Sequence, residues 1–166
     1  MRSLFLFLLI LIAIFSYPLP GYAERKDSVV VMPTRAPNLS PDFRKFLTNA
    51  FIGELSDTEK YNFHSGKIVS DAMQLALDKQ KTKKKCDETA CVREVAENFG
   101  TNLALTSAII KEGETIFISA KIENANSEET LAQEADKCNK CSNIDIIVKL
   151  KALALKLMAH SSQKAK

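Results

Sequence analysis

The chain has 166 residues, 23 of them basic and 20 acidic, for a formal net charge of +3, and it has no tryptophan. A charge this close to balance leaves no basic footprint for a nucleic-acid partner. The length bounds the fold to a single domain with enough residues to bury a core.

The first residues divide into three zones. Arg2 supplies a positive start, Leu4 to Phe15 is an unbroken apolar run, and Pro18 and Pro20 interrupt it before Gly21-Tyr22-Ala23. Small residues at the −3 and −1 positions mark a cut before Glu24, so residues 1–23 are read as a secretory signal peptide and 24–166 as one working domain. A retained anchor is the competing reading, but a spanning helix needs about 20 apolar residues and this run ends well short. No cysteine follows it at a position suited to lipid attachment, and no later segment is apolar enough to span a bilayer.

Ser28 to Met32 is a β-branched run closed by Pro33, which predicts a buried strand. Ser40 as N-cap, Pro41 at the first helical position and Asp42 in the first turn open a helix over about 41–55, with Phe43, Phe46, Leu47, Ala50 and Leu55 at helical spacing. Lys60 to His64 is read as a short strand. Ser70 is expected to cap a helix to about Gln80, with Ala72, Leu75 and Ala76 inward, and Lys81 to Lys85 to be a solvated connection. Asp87 to Phe99 predicts a third helix, its stripe Val92, Val95, Ala96 and Phe99, ended by Gly100.

From Asn102 the period changes to alternation. Leu103, Leu105 and Ile109 begin a strand that turns at Glu112-Gly113. Ile116, Ile118, Ala120 and Ile122 then alternate with polar positions in the clearest strand of the chain. Asn124 to Ser127 is a turn, and a further strand is expected over about 128–136. Ser142 with Asp145 opens a last helix that is apolar around most of its circumference, and is therefore expected to be well buried. The order β-α-β-α-α-β-β-β-α predicts an α/β (α+β) fold, a mixed sheet of four or five strands with packed helices.

Four cysteines, Cys86, Cys91, Cys138 and Cys141, all follow residue 23. An even number in an exported chain favours disulfides. Three pairings are compatible with the sequence; the local ones, 86–91 and 138–141, are expected. Cys138-Asn139-Lys140-Cys141 also stands between a strand and a helix start, where a helix N-terminus would activate a thiol. A thiol-disulfide oxidoreductase is thus the alternative function. The motif lies after the last strand rather than an early one, and no aromatic or proline separates its cysteines, which favours a structural bond. Zinc is disfavoured because the first pair is spaced C-x4-C. His64 and His160 have no nucleophile or carboxylate at suggestive spacing. No glycine-rich phosphate loop exists, so no cofactor is expected. The lysine run 79–85 offers a second alternative, contact with an anionic envelope surface.

Val29-Val30-Val31-Met32-Pro33 resembles the opening strand of the TolB N-terminal-like domains, which are related to the FlgO and CsgG groups. The middle of the chain is more similar: Cys86 to Cys91, then Val95-Ala96-Glu97-Asn98-Phe99-Gly100-Thr101-Asn102 feeding Leu105-Thr106-Ser107-Ala108-Ile109. Gly113, Ile116 to Ile122 and Asn124 to Glu128 stand where that family has its turn, strand and second turn. The chain departs from the pattern at Ser107 and at Asn126-Ser127, where the family carries glycine. The resemblance implies an exported module, periplasmic or secreted in a Gram-negative-type bacterium, that binds or assembles with an envelope protein. It carries over no catalytic residue, no β-propeller like that of TolB and no pore-forming segment like those of CsgG. The strand at 128–136, or a helix groove, is the expected docking surface.

Overall fold

Val29, Val30 and Val31 point alternately to two sides and all are buried. Their strand, β1 (Ser28–Val31), therefore needs cover on both faces. The fold, a computed structural model describing residues 26–82 and 88–161, supplies it. After β1 come α1 (Pro41–Ser56), β2 (Asn62–His64), α2 (Lys67–Thr82), α3 (Glu88–Asn98), β3 (Leu103–Glu112), β4 (Thr115–Asn124), β5 (Thr130–Asn139) and α4 (Asn143–Ser161). The mixed α/β class and the element order match the sequence reading. The predicted signal peptide lies outside the described residues, as do Lys83 to Lys85 of the predicted connection, while its first two residues, Lys81 and Thr82, belong to α2.

The sheet has the order β2-β1-β3-β4-β5. β1 pairs in parallel with β2 and β3, and β3, β4 and β5 form an antiparallel meander. α1 and α4 cover one face, where Leu47, Phe51, Leu55, Ile146, Leu150 and Leu157 pack on Val29, Val31, Leu105 and the inward row of β4. α2 and α3 cover the other face only near β1 and β3, through Val69, Ala76, Val92 and Val95 against Val30 and Ala104. The predicted inward row Ile116, Ile118, Ala120 and Ile122 is buried throughout. Gly100 and Gly113 take positive φ, ending α3 and forming the β3–β4 turn.

Several local expectations are corrected. α2 begins at Lys67, and Ser70 lies inside it: Gly66, at φ +79°, breaks the chain just before, and the helix must include the buried Val69. Leu75 faces solvent, while Val69 and Ala76 face inward. On α1 the buried face is Leu47, Phe51 and Leu55, and Phe46, one position off that axis, is 52% exposed. β5 starts later and runs further than 128–136, because Glu128 and Glu129 belong to a turn closed by Asn124 N–H to Glu129 C=O (2.9 Å), and the strand then pairs along β4 as far as Thr115. α4 is not buried around most of its circumference. Ile146, Leu150, Leu153, Ala154, Leu157 and Met158 are buried, but Ile144, Val148 and Leu155 are 70%, 60% and 50% exposed.

Candidate functional site

Among the described residues β5 is the last strand of the sheet, paired with β4 alone. Lys140 N–H donates to Glu114 C=O (2.8 Å) just past its end. In an antiparallel ladder the bonding side alternates, so the even residues of β5 turn their N–H toward β4 and the odd ones turn outward. Gln133 and Ala135 thus present backbone donors to the open side. The outward N–H of Lys137 is taken by Asp136 Oδ1 (2.7 Å).

The two faces of this edge differ. Toward α4, Asp136 Oδ2 accepts from Lys149 Nζ (2.8 Å), and Glu134 Oε1 meets His160 Nδ1. The hydrogen bond from Lys149, and then that from the Lys137 N–H, hold the Asp136 carboxyl below the ordinary carboxylate value. On the other face, Gln133, Ala135 and Lys137 are exposed. Gln133 borders a groove of about 520 Å³ whose walls include Met32, Met73, Val92, Thr106 and Ser119. The groove exists because α2 and α3 stop short of β4 and β5. Sequence could not place these ion pairs, since each joins two elements whose packing is set by the sheet.

Cys138 and Cys141 are bonded, with Cα atoms 5.9 Å apart. Cys138 lies within β5 and faces the core, which corrects its expected place in the connection to α4. Ser142 then caps α4: its Oγ accepts from Asp145 N–H (3.3 Å), and its own N–H donates to Asp145 Oδ2 (2.9 Å). Hydrogen bonds from Ser142 lower the Asp145 pKa. Lys140 Nζ pairs with Glu114 (3.4 Å), and Thr115 with Asn139 (2.8 Å). The bond thus closes a loop pinned on both sides, and it joins the edge strand to the helix beside it. Cys91 is buried in α3, and Cys86 lies outside the described residues, as does the expected 86–91 pairing.

Of the lysine run 79–85, Lys79 has a described side chain, and it pairs with Glu94 (2.6 Å). His64 packs beside Phe99, with ring centroids 5.2 Å apart. Among the described residues no group of three or more His, Cys, Asp or Glu side chains is placed to hold a metal, and no helix is long and apolar enough to cross a membrane.

No family model matches the chain, and no curated protein matches it. Among solved structures it is similar to the lipoprotein GNA1162 from Neisseria meningitidis, at 15% identity and TM-score 0.51, over 80% of this chain and 96% of that one. It is also similar to the LpoB C-terminal domain from Salmonella enterica, at 15% identity and TM-score 0.50, over 72% and 87%. The likeness is one of fold. TolB from Acinetobacter baumannii overlaps at 8% identity and TM-score 0.43, covering 78% of this chain and 29% of that one; an overlap at that level carries no argument. A bacterial lipoprotein thus shares this arrangement of sheet and helices.

Proposed function

We propose that the chain is a non-enzymatic accessory domain of the bacterial cell envelope, exported by residues 1–23, which docks an extended segment of another envelope protein on the free edge of β5. One observation carries this reading: a ten-residue strand that, among the described residues, is paired on one side only, with the Gln133 and Ala135 donors turned outward. Such an edge is a template for an added strand. An added strand would also extend the floor of the adjoining groove, where its side chains could meet Gln133. A second copy suits the edge poorly, because pairing centred on Ala135 would set Glu134 of one copy against Asp136 of the other. The fold shared with a lipoprotein and the sequence resemblance to TolB N-terminal-like domains both support an envelope setting.

Ala135→Pro tests the docking. It removes an outward N–H and leaves the β4 side of the ladder bonded, a substitution that edge strands tolerate. The parent chain is expected to capture a periplasmic protein, and the variant to lose about tenfold or more in affinity while keeping its fold by circular dichroism. Equal capture by the two, or none by the parent, defeats the reading.

A second reading rests on the bonded Cys138–Cys141 pair beside the N-terminus of α4. Thiol-disulfide exchange there would require insulin reduction to be catalysed and a thiol pKa well below about 8.5. The structural role predicts neither.

A further inference from the structure

α4 carries two apolar stripes, and the core uses one of them. The second consists of Ile144, Val148, Ala152, Leu155 and Ala159, all exposed and all on the side turned away from the sheet. Their steps of three and four residues keep them on one line along nearly the whole helix. Lys151 flanks the line toward α1, where it pairs with Glu54 (3.2 Å). Lys149 and Lys156 flank it toward β5. Asp145 is the one acid of the helix. Phe46 is exposed on the neighbouring α1.

From this arrangement we infer that the outer face of α4 rests on an anionic membrane surface, the aliphatic stripe dipping into the headgroup boundary, Lys156 reaching the lipid phosphates, and Lys149 and Lys151 exchanging their carboxylate partners Asp136 and Glu54 for phosphates. Aliphatic side chains between lysines suit such a surface, since lysine stems lie along apolar ground while their ammonium groups stay in the polar layer. A protein partner is a poorer fit. Protein interfaces are enriched in Trp, Tyr and Arg and depleted in Lys, and the stripe has none of the first three. A second copy of the chain is disfavoured too, because apposing two α4 helices through the stripe would bring their lysines together. With α4 on the membrane, the edge of β5 stays open, so the two surfaces do not compete.

The absence of tryptophan allows a site-specific test on the full chain. Leu155→Trp places one reporter in the stripe, and Leu75→Trp places one at an exposed position of α2, in the opposite layer. Each is mixed with vesicles of phosphatidylcholine containing about a third phosphatidylglycerol, part of it brominated. The Leu155→Trp emission is expected to shift to the blue and be quenched, and the Leu75→Trp emission to do neither. Lys149→Gln, Lys151→Gln and Lys156→Gln combined should weaken the response about tenfold or more and flatten its salt dependence. An unquenched Leu155→Trp, or equal quenching at both positions, overturns the inference. Quenching at Leu75→Trp alone would also overturn it and point to the lysine run 79–85. So would a stripe-dependent dimer in sedimentation velocity without vesicle binding.

Discussion

Phe51 is fully buried beneath the sheet, while Phe46 on the same helix stands largely in water. Removing a buried aromatic leaves a cavity as well as losing transfer energy, so Phe51→Ala is expected to cost about 3–5 kcal/mol in urea unfolding. Phe46→Ser should stay within about 0.5 kcal/mol. Lys60 holds two separate segments together. Its Nζ donates to Met158 C=O (3.0 Å) and Ser161 Oγ (2.7 Å), capping the end of α4, and burial lowers its pKa. Lys60→Met should destabilise by about 1 kcal/mol at neutral pH by leaving those carbonyl and hydroxyl groups without the donor. Asp136 sets a pH dependence. Its folded pKa is lowered, so its contribution is present above the unfolded value of about 3.9 and is lost as pH falls through the folded one. The stability difference between the parent and Asp136→Asn should therefore be largest near neutrality and shrink in acid, measured by unfolding at both pH values.

The elements were legible to differing depths. β1 and β4 could be read residue by residue, because a β-branched run and strict alternation each have one structural solution. The capping residues Ser40 and Ser142 were legible for the same local reason. The orientation of helix faces was not. A helix such as α4, with apolar residues on most sides, gives no internal signal of which stripe the sheet will take, so it is expected to be buried nearly all round, and on α1 and α2 Phe46 and Leu75 are expected inward where the sheet takes a different face. The edge position of β5 was legible as an expected docking strand, whereas its ion pairs with α4 depend on packing between elements. At this scale the Cys138–Cys141 bond ties the end of β5 to the start of α4. Cys141→Ser should lower stability by roughly 2 kcal/mol in the chain-entropy model for so short a loop, with the loss concentrated in thermal unfolding rather than in any turnover.

For the whole molecule, sheet and helices divide the work. α1 and α4 cover one face, α2 and α3 cover the other near β1 and β3, and what remains open is the outer part of β4 and the edge of β5. Docking at β5 is tested most directly by amide exchange on the labelled chain, alone and in periplasmic extract. Gln133 and Ala135 should exchange fast in the purified protein, far faster than Ile118 and Ala120 on β4, and slow markedly when the extract is added. Slow exchange at both positions in the isolated chain, or rates unmoved by the extract, would contradict an edge left open for a partner strand.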